Sequence, residues 1–302
     1  MAKRMKSQNF THSTSIEKLE VLEAYTRKAN GKKITVPKDN YQVTINKGNG
    51  GAGAIFSDQT TVAIVFPDLE KNDSVYFRIK RTETEPMFPG HFSISRYYYS
   101  QTAYDDVKVR FDLPGDLEFK QEIRQMREKS FILDGRRIIE LSYRNKKPVK
   151  TDRSDFSVWD ESQEAGFALS SFPDYKAIAK AYAARALPKA KPTSRVKNLA
   201  AEIIRDEKDK KKQARMLYNW VATNISYAGN CIGVGAVVPH DTDFILDNRM
   251  GDCKDHATLL EALYRSVGIK SSQALINAQN VYRLPEVPLV SSVNHVINYL
   301  PE

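Results

Sequence analysis

Residues 249–257 read Arg249-Met250-Gly251-Asp252-Cys253-Lys254-Asp255-His256-Ala257. Beyond them, apolar residues recur with the i, i+3, i+4, i+7 spacing of one helix face, at Leu260, Leu263, Tyr264 and Val267. Gly268 follows, where a helix C-terminus favours a residue without a Cβ atom. The sequence therefore predicts a turn that delivers Cys253 to the N-terminus of a helix.

The start of a helix favours the reactive form of a cysteine. Backbone N–H groups and the positive end of the helix dipole stabilise a thiolate there, and the thiolate is the nucleophile. Because Asp252 and Asp255 oppose this effect, we expect a further cation close by. The best candidate is His295, since the β-branched, alternating segment 293–300 predicts a strand. These residues indicate an acyl-transfer enzyme with Cys253 as nucleophile.

The composition is that of a globular protein with room for two domains. Among 302 residues, 41% are apolar and 27% charged, which are ordinary values. The net charge is +9, but the basic residues are scattered and mixed with acidic ones, as in 206–212, so we predict no nucleic-acid binding. No apolar segment is long enough to span a bilayer, and residues 1–30 do not resemble a signal peptide. We therefore expect a cytoplasmic protein or an exported one whose leader is absent here.

The two halves of the chain differ in their periodicity. Short alternating segments separated by turns predict a β-sandwich over residues 1–160. Gly48 to Gly53 match G-x-G-x-x-G, but no helix pattern follows, so a dinucleotide site is rejected. A linker and connecting helix are predicted for 161–195. Helices followed by strands over 196–302 predict an α+β plan.

Three segments in the second half of the chain resemble the transglutaminase-like superfamily, a papain-like cysteine fold. Its two first catalytic boxes are similar to 251–257 and 294–297, and the helix that precedes them is similar to 220–227. The resemblance covers about residues 170–302. The upstream strands, with the Glu85-Pro86-Met87-Phe88-Pro89-Gly90 segment, are similar to a bacterial β-rich domain of unassigned function that often precedes such cores.

The resemblance implies a fold and a chemistry. The fold is α+β, with an N-terminal β-sandwich followed by a papain/transglutaminase-like core. Cys253 and His295 are then the catalytic residues, acting on a peptide or protein amide through a thioester without a cofactor. The family's third catalytic residue is an aspartate on the next strand, and none up to Glu302 matches it. We therefore expect a fragment with an incomplete core and weak activity. Related proteins imply export to the periplasm.

Two other functions compete with the enzyme. One is a zinc site, which would draw on Cys231, His240, Cys253, His256 and His295. The Cys253-x-x-His256 spacing suits zinc, but no second close pair accompanies it. The other is a binding or scaffold protein with a vestigial core. Among neighbouring residues, we expect His256 to pack at the helix start, while Lys254 either offsets the carboxylates or is solvated.

Overall fold

The protein is described here by a computed structural model that covers residues 5–46, 58–150, 163–229, 233–279 and 283–301. It divides into two compact units, each built from separated segments. The first unit comprises Met1–Met87, Ala184–Gln273 and Asn298–Glu302. The second comprises Phe88–Ala183 and Ala274–Ile297. The domain boundaries drawn from the sequence stay predictions. Glu302 and the glycine-rich segment 48–53 lie outside the described residues.

Two antiparallel sheets form the β-rich part of the first unit, with strand orders β1-β5-β4 and β3-β2-β6. Ala24 and Val36 pack with Ile64 and Phe66 in one buried cluster, so the two sheets share a core. The strands are β1 (Ser7–Ser13), β2 (Glu17–Arg27), β3 (Lys33–Thr35), β4 (Tyr41–Asn46), β5 (Gln59–Val65) and β6 (Ser74–Glu83).

The second unit repeats this arrangement with different strands. Its sheets have the orders β10-β11-β8 and β7-β12-β9. Ile139 and Leu141 of one sheet pack with Phe167 and Leu169 of the other. The strands are β7 (Ser93–Tyr98), β8 (Tyr104–Pro114), β9 (Lys120–Arg124), β10 (Arg127–Leu133), β11 (Arg136–Asn145) and β12 (Ala165–Ser170).

Helices dominate the chain after β12. They are α1 (Tyr175–Ala186), α2 (Ser194–Ile204), α3 (Lys210–Asn224), α4 (Thr242–Asn248) and α5 (Cys253–Ser266), with 3-10 turns at Lys38–Asn40, Gly233–Ala236 and Val290–Ser292. Helices α2 to α5 contribute to one apolar core that includes Val196, Leu217, Ile245 and Leu263. Helix α5 lies deepest, since nearly all of its residues from Ala257 to Tyr264 are fully buried.

Four short strands in this part of the chain pair two by two. Strands β13 (Ser226–Tyr227) and β14 (Met250–Gly251) pair in parallel, immediately before α5. Strands β15 (Ser272–Ile276) and β16 (His295–Tyr299) form a second two-stranded sheet. A β-rich N-terminal region followed by a helical core with strands confirms the predicted α+β class.

Candidate active site

Cys253 is the first residue of α5, as the sequence predicts. The chain reaches it through a sharp change of direction, because Arg249, the C-cap of α4, lies in the left-handed region, with φ 52° and ψ 36°. Strand β14 then pairs with β13, and Asp252 precedes the helix as its N-cap with an extended backbone. The cysteine side chain is half-buried. Its sulfur therefore lies at the electropositive end of a buried helix.

A capping box closes the start of α5. The carboxylate of Asp252 accepts hydrogen bonds from the backbone N–H groups of Lys254 and Asp255, at 3.1 and 3.3 Å. In return, Asp255 Oδ2 accepts from the backbone N–H of Asp252 at 3.2 Å. These bonds satisfy N–H groups that have no partner within the helix itself. The two aspartates therefore fix the backbone on both sides of Cys253.

Gly251 is required by the same turn. A Cβ atom at this position would lie 2.5 Å from the Cβ atom of Asp255, which is closer than real Cβ contacts come. The glycine therefore allows the strand β14 to approach the first turn of α5 closely.

The carboxylate of Asp252 forms a buried ion pair. Its partner is the ammonium group of Lys254, and the two residues are 0% and 2% exposed. Burial raises the pKa of the Asp252 carboxyl, and the charge of Lys254 offsets only part of that effect. Of the two sequence-based expectations for Lys254, the structure supports the one in which it offsets a carboxylate.

The carboxylate of Asp255 is bound by His240. It accepts from the backbone N–H of His240 at 2.8 Å, and the imidazole Nδ1 lies 3.1 Å from Asp255 Oδ2. Burial raises the pKa of Asp255, but the hydrogen bonds from the imidazole and the backbone of His240 outweigh it, so that its pKa is lowered overall. The imidazole also stacks on Phe244, with 4.7 Å between ring centroids. His240 is thus a residue of the site, although from the sequence it was only a candidate zinc ligand.

His256 connects the start of α5 to the end of α3. Its Nδ1 lies 2.8 Å from the carbonyl oxygen of Asp252, and its Nε2 lies 3.1 Å from that of Ile225, the C-cap of α3. The ring also lies 5.9 Å from the ring of Tyr227. The predicted packing role at the helix start is consistent with these contacts.

His295 begins strand β16 and is half-buried. Asn298 of the same strand donates a hydrogen bond from its amide to the carbonyl oxygen of Ala257 in α5, at 2.9 Å. Cys253 belongs to the first unit and His295 to the second, so the pairing of their side chains stays a prediction.

The described residues do not support the alternative of a zinc site. Across the described ranges, no group of three or more His, Cys, Asp or Glu side chains is placed to hold a metal ion. Cys231 lies outside the described residues. His256 directs both ring nitrogens at carbonyl oxygens, and His240 directs Nδ1 at Asp255.

Comparisons with known families bear on both parts of the chain. The model of the Transglutaminase-like superfamily matches residues 197–282, which contain α3, α4 and the cysteine helix α5. Residues 197–282 are thus similar to the transglutaminase-like superfamily. The model of a Domain of Unknown Function, DUF3857, matches residues 2–150, upstream of this core. Both matches confirm the family resemblance drawn from the sequence.

Solved structures extend the comparison to most of the chain. A crystal structure described as a "putative protease" from Parabacteroides distasonis superposes with a TM-score of 0.81 at 15% identity, over 97% of this chain. The superposition covers 57% of that protein, so the present chain spans little more than half of its length. A "putative cysteine protease" from Cytophaga hutchinsonii matches at 13% identity over 70% of this chain and 71% of its own, with a TM-score of 0.31.

Among curated proteins, no sequence matches the chain. Within the described ranges, no helix combines the length and the apolar character needed to cross a bilayer.

Proposed function

We propose that the transglutaminase-like core is a cysteine-dependent enzyme that cleaves or transfers the acyl group of peptide or protein amides. The observation that carries the proposal is the position of Cys253, at the first residue of α5 behind a closed capping box. This position favours a thiolate, and it presents the cysteine on a rigid element rather than a loop.

The proposed reaction has two steps. The thiolate of Cys253 attacks the amide carbon, forming a thioester while the C–N bond breaks. The imidazolium of His295 gives its proton to the departing amine. Water or a second amine, deprotonated by His295, then attacks the thioester, which releases the acid or a new amide and restores the thiolate. A backbone N–H donor at the start of α5 would stabilise the oxyanion of each step.

The role of His295 as partner is supported by its strand. His295 and Asn298 both lie on strand β16. Asn298 bonds to Ala257, which lies one helical turn after Cys253. The proposal therefore assigns the base to the strand that is tied to the cysteine helix.

The experiment that tests this function is alkylation of the purified chain with iodoacetamide, followed by mass spectrometry of each cysteine. We expect Cys253 to react at least tenfold faster than N-acetylcysteine at about pH 6, because a thiol of ordinary pKa is almost wholly protonated there. The Cys231→Ser variant is the matched control and should keep the rate. If Cys253 reacts no faster than N-acetylcysteine, the proposed thiolate does not exist.

Turnover distinguishes the enzyme from the scaffold alternative. We expect Cys253→Ser and His295→Ala each to abolish release of fluorescent peptides from labelled casein, or incorporation of a fluorescent primary amine into it. The two readouts separate hydrolysis from amine transfer. A non-catalytic scaffold would be favoured if neither the wild type nor the two variants showed turnover and both variants still bound partners as the wild type does.

The cellular location is proposed from the family resemblance alone. We propose export to the periplasm, and fractionation of cells that make the natural protein tests it. Recovery in the cytoplasmic fraction would contradict this location and leave the proposed chemistry unaffected.

A further inference from the structure

The contacts of His256 require more protons than a neutral imidazole has. Its Nδ1 and Nε2 both lie within hydrogen-bond distance of a carbonyl oxygen, at 2.8 and 3.1 Å. A carbonyl oxygen only accepts, so each contact needs an N–H on the ring. A neutral imidazole carries one N–H and would direct the lone pair of its other nitrogen at an oxygen lone pair. The protonated ring satisfies both contacts.

We propose that His256 is held as an imidazolium by these two carbonyl groups and is a positioning residue that stabilises the thiolate of Cys253 through its fixed charge. This inference rests on the proposed function of Cys253. The two residues are three apart on α5, which brings their Cβ atoms to about 5–6 Å on the surface of a helix. An opposite charge at that separation favours the ionised thiol.

The groups around the ring divide into two sets. At the start of α5, the carboxylate of Asp252, the N-cap, is paired with Lys254, and that of Asp255 is bound by His240 from the segment before α4. From the other elements in contact with the ring, α3 supplies the carbonyl of Ile225 and β13 the phenol ring of Tyr227.

These surroundings explain why His256 is suited to the role. The helix dipole opposes a cation in the first turns of α5. The two carbonyl oxygens offset this effect of the dipole, because each accepts a hydrogen bond from the ring and is held in place by the backbone at the end of α3 or the start of α5. The carboxylates on either side of Cys253 already have partners of their own, whereas His256 has no carboxylate among its contacts in the described structure. Its charge is therefore available to the sulfur.

The first readout is the protonation of the ring itself. Long-range proton–nitrogen NMR spectra of the chain with labelled histidine distinguish a doubly protonated ring from either neutral tautomer, and the His256→Asn spectrum assigns the signal. We expect the ring of His256 to show an N–H proton on each nitrogen at about pH 7.5, because each nitrogen faces a carbonyl oxygen. A neutral ring at this pH overturns the inference.

The second readout is the reactivity of Cys253 in variants that separate charge from hydrogen bonding. His256→Asn keeps a donor near the position of Nδ1, and His256→Gln keeps one near that of Nε2, while both remove the charge. His256→Lys keeps the charge and can donate to both carbonyls. We expect the two neutral variants to alkylate about tenfold more slowly than wild type at about pH 6, and His256→Lys to restore the rate.

The outcomes separate this inference from the function on which it rests. Neutral variants that react at the wild-type rate, or a lysine variant as slow as they are, would show that the charge does not act on the sulfur. A doubly protonated His256 next to an unreactive wild-type Cys253 would instead contradict the proposed function, and with it the thiolate role of His256.

Discussion

Replacing Lys254 by Met removes the only charge paired with the buried carboxylate of Asp252 among the described ion pairs. Methionine keeps the length, the apolar stem and the helix propensity of lysine, so the change isolates the charge. Both residues are at most 2% exposed, and breaking a buried pair from one side costs about 3–5 kcal/mol. Since Asp252 keeps its hydrogen bonds from two backbone N–H groups, we expect about 3 kcal/mol at pH 8.

The loss of stability should depend on pH with a definite sign. Burial already raises the pKa of Asp252 above its unfolded value, and removing Lys254 raises it further. A carboxyl whose pKa is raised by folding contributes stability at pH below its unfolded pKa, and this contribution is lost as the pH rises through the folded pKa. The difference between variant and wild type should therefore widen from acid to neutral pH, by up to about 1.4 kcal/mol for each pH unit.

Urea denaturation, followed by tryptophan fluorescence at several pH values, measures this difference. Trp220 packs against the same helical core and reports on its unfolding. Lys197→Met, at an exposed position of α2, is the matched control and should change the free energy of unfolding by less than about 0.5 kcal/mol. A loss below about 1 kcal/mol at pH 8, or a loss that does not vary with pH, would refute the assignment of a buried, compensated carboxylate.

Three further predictions concern the same turn. Gly251→Ala should lower the free energy of unfolding by about 1–3 kcal/mol in urea titrations, because its Cβ atom would overlap Asp255. Gly229→Ala is the control and should have little effect, because the nearest atom to its Cβ would be 3.9 Å away. His240→Ala should make the protein unfold in acid at a higher pH than wild type. The lowered pKa of Asp255 gives stability that is lost only as the pH falls through that pKa, and the variant should raise the pKa of Asp255. Coinciding unfolding curves of the two proteins between about pH 3 and 7 would contradict this. Asn298→Ala should lower the free energy of unfolding by about 1 kcal/mol, because the hydrogen bond to Ala257 is lost. It should also lower casein turnover. Unchanged turnover would argue against β16 as the strand that positions the base.

Regular hydrophobic periodicity made part of the fold predictable. The alternation of Tyr41, Val43 and Ile45 corresponds to β4, and the helical spacing after Cys253 corresponds to α5. Strand β12 was not predicted, because every residue from Ala165 to Ser170 is buried and a strand buried on both faces shows no alternation. Strand β2 was missed for the opposite reason, since polar residues occupy most of its exposed positions.

The candidate site was predictable where it depends on local sequence. The turn, the helix start and the glycine at its end follow from neighbouring residues, and Gly268 indeed has φ 69°. The contacts of His240 with Asp255 and of His256 with Ile225 join residues 15 and 31 positions apart. No periodicity encodes such contacts, because they depend on how α3, α4 and α5 pack. Lys254 and His240 bind the two carboxylates, while the pairing of His295 with Cys253 stays a prediction.

The several bonds of Asp255 have a consequence for anyone who transplants this cysteine turn into another scaffold. One side chain accepts from Asp252 within the turn and from the backbone and ring of His240, which lies 15 residues upstream. A graft limited to residues 249–257 would leave a buried acidic group without its outer donors. The smallest portable unit thus begins before α4, and insertions between His240 and Asp255 should be poorly tolerated by any protein that keeps this start to its helix.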